Sequence, residues 1–239
     1  MEKFIAQDKA YLAGRKEAAA AIGKPDLFET IDQFGLYCGT QTLAKCLAVY
    51  ELVKQSLPIP GDIVEFGCWH GSNLMTMAKC LKLLQPYSIK EVYGFDSFEG
   101  LATFDKKDSM ESAPYIGSYK GNEGTLRTFI TVYDMERWVH LVKGNALQTI
   151  DQFAVENPQV MLSLSYIDFD LYAPCIKALE FTDERLSVGG LIVLDEALSK
   201  NWKGEGIALR EFLDSRHGNY SMESIGFTRQ PTIILKKIK

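Results

Sequence analysis

Long hydrophobic runs, basic stretches and paired cysteines are all missing from this 239-residue chain. No segment approaches the roughly 18 consecutive apolar residues of a membrane-spanning helix. The N-terminal stretch MEKFIAQDKAYLAGRKEAAAAIG carries charges throughout and lacks the apolar core of a secretion signal. Positive charge is scattered: the formal net charge is -5, and the densest basic group, Lys236, Lys237 and Lys239, reads as a solvated tail. Nucleic acid and anionic membrane surfaces, which need a basic patch, are therefore not expected partners. Cys38, Cys46, Cys68, Cys80 and Cys175 form no Cys-x-x-Cys pair and are odd in number. They read as reduced thiols of a cytoplasmic protein rather than as a disulfide framework or a zinc site. Of the three histidines, His140 at a strand start and His217 at a helix end read as structural. Internal repeats, low-complexity tracts and Gly/Ser/Pro linkers are also lacking, so residues 1–239 are expected to form one domain.

What is present is a hydrophobic content of 46%, ample for a core, and a regular alternation of strand and helix patterns. The first sixty residues read as helices, ended by Pro58 and Pro60. Strands are expected over Asp62–Cys68, Glu91–Ser97, Val139–Lys143, Val160–Asp168 and Leu191–Leu194, the last after a Gly189-Gly190 break. Helices are expected over Ser72–Leu84, Glu123–Glu136, Ala146–Glu156, Pro174–Leu186 and Gly206–Ser215. Phe98–Asn122 is polar, contains glycine and reads as irregular. Tyr220–Ile225 and Thr232–Ile238 read as a terminal hairpin. Such alternation predicts a parallel sheet covered on both faces, with a last strand running antiparallel. Residues 1–60 would form a helical cap and 61–239 the core.

In an open sheet of this kind ligands bind outside the carboxyl ends of the strands, so the residues after each strand carry the functional reading. After the first strand come Glu65, Gly67, Cys68, Trp69, His70, Gly71 and Ser72. The glycines permit a tight turn and close approach of a ligand, and the helix behind them offers free N–H groups to a carboxylate. The plainer alternative is that small residues simply let helix and strand pack. Asp96, after the second strand, is placed to accept hydrogen bonds from ribose hydroxyls; alternatively it is a turn or capping residue. Lys143, Gly144, Asn145 and Ala146, after the third, form a rim suited to an adenine ring. Asp168 and Asp170 follow the fourth strand, and Asp195 and Glu196 the fifth. On neighbouring strands, about 4.8 Å apart, these carboxylates would converge. Converging carboxylates repel unless a cation is present, and hard oxygens suit Mg²⁺, Ca²⁺ or Mn²⁺ rather than zinc. Otherwise they are loop acids that cap the next helix.

These segments together resemble class I S-adenosylmethionine-dependent methyltransferases and, more narrowly, the macrocin O-methyltransferase (TylF/MycF-type) family of sugar O-methyltransferases. The likeness is carried by Gly61–Gly71 (GDIVEFGCWHG), Phe95–Leu101 (FDSFEGL), Ile167–Tyr172 (IDFDLY) and Leu186–Glu196 (LSVGGLIVLDE). It spans about residues 40 to 215. It implies a doubly wound, seven-stranded Rossmann-like methyltransferase sheet with an antiparallel C-terminal strand and extra N-terminal helices. It also implies that Glu65, Gly67, Trp69, Gly71 and Ser72 hold the methionine part of the cofactor. Asp96 would hold the ribose, and Ser97 and Phe98 would lie beside the adenine, with Gly144, Asn145, Ala146 and Asp168 completing the cofactor site. Asp168, Asp195 and Glu196 would bind a Mg²⁺ that grips two neighbouring hydroxyls of the acceptor. The chain departs from the family pattern at Phe169, usually glycine, at Glu196, often aspartate, and at His70, often arginine.

The implied chemistry is methyl transfer to a hydroxyl of a sugar or other polyhydroxylated small molecule, such as a glycosylated metabolite. In-line displacement needs alignment of oxygen, methyl carbon and sulfur, and deprotonation of the hydroxyl. Asp168 is the catalytic candidate that the metal site supplies, and His70 is the nearest candidate base by loop position. Phe98–Asn122 and the N-terminal helices are expected to form a lid, with Phe104, Met110, Tyr115 and Tyr119 as candidates to line an acceptor pocket. The N-terminal helices are also a candidate surface for pairing two subunits. Three alternatives stand beside this reading. A nicotinamide dehydrogenase would carry G-x-G-x-x-G after the first strand, where this chain has only Gly67 and Gly71. The others are a metal-independent methyltransferase acting on nitrogen or a carboxylate, and a cofactor-binding protein without catalysis.

Overall fold

The computed structural model describes residues 2–101, 104–109 and 114–239. Four helices come first: α1 (Glu2–Ala21), α2 (Leu27–Ile31), α3 (Phe34–Tyr37) and α4 (Thr40–Ser56). The alternation follows as β1 (Asp62–Phe66), α5 (Ser72–Leu84), β2 (Val92–Asp96), α6 (Glu123–Val132), β3 (Val139–Lys143), α7 (Ala146–Glu156), β4 (Leu162–Ile167), α8 (Tyr172–Arg185), β5 (Leu186–Leu194) and α9 (Lys203–Asp214). The chain closes with β6 (Tyr220–Glu223) and β7 (Ile233–Lys237). The strands form one seven-stranded sheet in the order β3-β2-β1-β4-β5-β7-β6. Strands β1 to β5 pair in parallel, and β7 is antiparallel to both of its neighbours, β5 and β6. The order of connection reverses between β1 and β4, which is where a sheet of this type opens a crevice.

Both faces of the sheet are covered, so its central strands are apolar on both sides. Ile63, Val92, Leu164 and Val193 pack with α4, α5 and α6, whereas Val64, Phe66, Phe95 and Ile192 pack with α7, α8 and α9. The helix α4 presents Ala48, Val49, Leu52, Val53 and Ser56 to the sheet, a stripe at helical spacing, and thereby joins the layer that covers it. Among the described residues no helix is long and apolar enough to cross a membrane.

The expected elements differ from the observed ones mainly at their ends. Strand β5 starts at Leu186 rather than Leu191 and runs through Gly189-Gly190. There the pairing with β4 slips, from Leu162↔Leu186 to Leu164↔Leu191, and Gly189 adopts φ +85, so the glycines accommodate a bulge instead of breaking the strand. Helix α8 begins two residues before Pro174, which then sits in the first turn, where no intrahelical N–H is required. Helix α6 stops at Val132, four residues earlier than expected, because Asp134 turns the chain at φ 52.

Candidate active site

A cavity of about 900 Å³ opens over the carboxyl ends of β1 to β5, at the switch in strand order. Its wall includes Gly67 after β1, Asp96 and Ser97 after β2, Lys143–Leu147 after β3, Asp168–Leu171 after β4, and Asp195 and Glu196 after β5. Lys45, Tyr119, Trp202 and Gln230 complete it. Gly67 makes the closest approach in this wall. It stands at φ +90, and a Cβ there would lie 2.0 Å from the Asp168 carbonyl oxygen, so only glycine lets the tips of β1 and β4 meet. Trp69, Tyr119 and Asp170 line the cavity and, without being glycine, adopt positive φ. Strain of this sort persists where the surroundings over-determine it, as at ligand sites.

On one side of the cavity, Asp96 organises two loops. Its Oδ2 accepts the Trp69 N–H at 2.7 Å and its Oδ1 accepts the Phe98 N–H at 2.6 Å. The turn role and a ligand role are therefore compatible, since a carboxylate has about four acceptor positions. Asn145 caps α7 by accepting the Leu147 N–H, and Gly71, at φ +81, begins α5 with no side-chain cap. Gly67, Trp69, Asp96, Ser97, Gly144, Asn145 and Ala146 line the cavity; Glu65, Gly71, Ser72 and Phe98 lie behind that lining. Glu65 is 1% exposed, and its Oε2 has no hydrogen-bond partner. Burial pushes its carboxyl up to about 8, against the opposing pull of Lys45. An unpartnered buried acid of this kind is a place for a cationic group.

On the other side, Asp168, Asp170, Asp195 and Glu196 gather, with Glu205 of α9 buried beneath them. Lys45 Nζ lies among them, 3.1 Å and 3.2 Å from Asp195 Oδ1 and Oδ2 and 3.8 Å from Asp168 Oδ2. Tyr166, buried on β4, donates its hydroxyl to Asp195 Oδ1. Gln230 donates its side-chain amide to Glu196 Oε1, and Glu205 Oε1 accepts the Glu196 N–H at 2.9 Å. Glu205 Oε2 has no partner. Burial, then the neighbouring carboxylates, push these acids up: Asp168 and Glu205 well above the ordinary range, Asp170 to about 7, and Glu196 in the same direction. Burial works to lower the Lys45 ammonium, but Asp168 and Asp195 outweigh it and hold the group raised and charged.

Among the described residues no group of three or more His, Cys, Asp or Glu side chains is set to hold a metal ion as they stand. Asp168 and Asp195 nevertheless share one cation, the Lys45 ammonium, and the donor set is hard oxygen. By that chemistry the residues fit a divalent ion at the position the ammonium occupies. Lys45, Tyr166, Gln230 and Glu205 went unnoticed in the sequence. Lys45 had a signal, since it heads the stripe of Val49, Leu52 and Ser56 that faces the sheet. Tyr166 had a weaker one, as a hydroxyl on an otherwise apolar strand; Gln230, in a terminal loop, had none.

The described residues of 98–122 contain no strand and no long helix, and they are pinned to the core. Lys107 bonds Glu211 at 2.8 Å, and Asp108 Oδ1 accepts the Tyr172 N–H at 2.8 Å. Tyr119 and Trp202 line the cavity and form an aromatic cluster with Tyr115, which lies outside the lining; the ring centroids are 5.6–6.2 Å apart, and Trp69 stands 6.0 Å from Tyr119. Phe104 is partly buried outside the lining, and Met110 lies outside the described residues. His70 is exposed, its ring tilted against that of Trp69 with centroids 4.4 Å apart, and does not line the cavity either.

The model of the macrocin-O-methyltransferase (TylF) family matches residues 31–229. The chain is similar in structure to CalS11, a calicheamicin methyltransferase, with 26% identity, a TM-score of 0.78, and coverage of 97% of this chain and 92% of that one. A second CalS11 structure, without ligand, is described as a TDP-rhamnose 3'-O-methyltransferase; it matches at 25% identity and a TM-score of 0.69, covering 97% and 94%. The O-methyltransferase NovP shares the fold at 18% identity and a TM-score of 0.69, covering 82% and 80%. No curated protein matches the chain significantly.

Proposed function

Because the chain belongs to the macrocin-O-methyltransferase family and is thus an S-adenosylmethionine-dependent methyltransferase, we propose that it methylates a hydroxyl of a sugar or other polyhydroxylated small molecule with the help of a divalent cation. The observation that carries this reading is the two-sided cavity: Asp96 on one side, and on the other a cluster of carboxylates gathered around the Lys45 ammonium. Relatives support the acceptor class, since CalS11 is described as acting on TDP-rhamnose.

When bound, S-adenosylmethionine supplies the sulfonium methyl group and Mg²⁺ supplies a charge that polarises the acceptor hydroxyl. The chain's own residues do the rest. Glu65 neutralises the amino group of the methionine part, and Gly67, Trp69, Gly71 and Ser72 shape the loop around it. Asp96 receives the ribose hydroxyls, and Ser97, Phe98, Gly144, Asn145 and Ala146 frame the adenine. Asp168, Asp195 and Glu196 would hold the ion. Asp168, in the cavity wall, is the group we assign to take the proton of the acceptor hydroxyl, once its own raised carboxyl has given up its proton; His70, which faces Trp69, is given no part in that step. Tyr115, Tyr119 and Trp202 cover the acceptor and exclude water.

A metal-independent transferase is the second reading, favoured by one observation: the Lys45 ammonium already neutralises Asp195. Exposed Leu36, Tyr37, Leu43 and Leu47 on α3 and α4 support pairing of two copies, and five free thiols support a cytoplasmic setting. The test is transfer of labelled methyl from S-adenosylmethionine to a panel of glycosides, before and after chelation. Turnover that chelation abolishes and Mg²⁺ restores is the expected result. Chelator-resistant turnover sinks the metal, and absence of cofactor binding by calorimetry sinks the whole reading.

A further inference from the structure

The acceptor side of the cavity holds four carboxyl groups, from Asp168, Asp170, Asp195 and Glu196, with Glu205 buried beneath them, and Lys45 is the one basic side chain within 4.0 Å of any of the five among the described residues. It does not come from the strand tips that supply the acids. It reaches in from α4, heading the stripe of Ala48, Val49, Leu52 and Ser56 that fixes that helix on the sheet. Its direction is thus set by packing. Its side chain is 29% exposed and flexible, so the ammonium has a route towards solvent.

We propose that Lys45 is a resident counter-cation and that a divalent ion displaces it: the ammonium and the ion are alternatives for the position between Asp168 and Asp195. This rests on the metal-assisted reading above. Competition is what this arrangement implies for an ion that takes the oxygens on the side the ammonium occupies. The ammonium sits 3.1–3.2 Å from both Asp195 oxygens, and 3.8 Å from Asp168. A hard ion coordinated by the same oxygens would lie within about 2.0–2.6 Å of them, too close to an undisplaced ammonium for two like charges. In the metal-free state Lys45 keeps the carboxylates from repelling one another apart. In the loaded state it is released into the cavity, where it adds a donor beside the acceptor.

The experiment is Mn²⁺ binding followed by electron paramagnetic resonance on the full chain, for wild type, Lys45→Met and Lys45→Arg. Lys45→Met should bind Mn²⁺ at least tenfold more tightly, because the competitor is gone, and Lys45→Arg no more tightly than wild type. Mn²⁺ bound equally well by wild type and Lys45→Met overturns the proposal alone. Mn²⁺ bound by neither overturns it together with the metal-assisted reading. Should Lys45→Met fail to fold, wild type decides. Saturating Mg²⁺ should raise acylation of Lys45 by an N-hydroxysuccinimide ester several-fold, measured by mass spectrometry. Unchanged labelling overturns the proposal.

Discussion

Glu65 offers a prediction that can be worked through to a number. In the free protein burial holds its carboxyl near 8, against 4.5 for an exposed glutamate. At pH 7 it is therefore protonated about ten to one, and ionising it costs about 1.4 kcal/mol. In the proposed complex the ammonium of the cofactor needs the carboxylate, so binding must expel that proton. Cofactor affinity should then rise about thirty-fold from pH 5.5 to 7, a range in which the cofactor's own amino group stays charged. About 0.9 proton should be released per molecule bound at pH 7. Calorimetry in two buffers of different ionisation enthalpy measures both quantities. Glu65→Gln should remove the slope and the proton release together. The same raised group makes a stability statement. The folded state binds more protons than the unfolded between pH 4.5 and 8, so its contribution is fully present below 4.5 and is lost as pH rises towards 8. Within that window wild type should lose stability relative to Glu65→Gln by up to about 1.4 kcal/mol per pH unit. If wild type and Glu65→Gln bind the cofactor with the same pH slope, the assignment of Glu65 is wrong.

Two further outcomes follow from the geometry. Gly67→Ala places a Cβ 2.0 Å from the Asp168 carbonyl at φ +90, and should cost more than about 2 kcal/mol in urea denaturation and abolish cofactor binding; a change within about 0.5 kcal/mol would show that the two strand tips do not need this contact. Trp202→Ala removes a face of the aromatic cluster worth about 1 kcal/mol, so the acceptor KM should rise roughly fivefold while cofactor affinity stays constant, and an equal loss of both would place Trp202 elsewhere than at the acceptor.

The family and the fold were legible in the sequence because their signals are local. Strand patterns such as Ile63–Phe66 and Leu191–Leu194 are fixed by the need to bury both faces of a covered sheet, and the loop glycines follow from backbone geometry at a turn. Asp96, Asp168, Asp195 and Glu196 could be placed at one rim because strand tips of a parallel sheet share one edge. Three things were not legible. The bulge at Gly189-Gly190 depends on the register against β4, and register is a relation between segments. The placement of His70 against the Trp69 ring and not in the cavity wall is likewise a matter of tertiary packing.

The third was the charge balance of the site. By itself the sequence determined which acids stand at the strand ends, since period and turn chemistry act within a few residues. Only the tertiary structure decided that Lys45, some 120 to 150 residues away along the chain, lies against Asp168 and Asp195. That contact depends on how α4 docks across the sheet, and docking is set by the combined shape of side chains that no single segment contains.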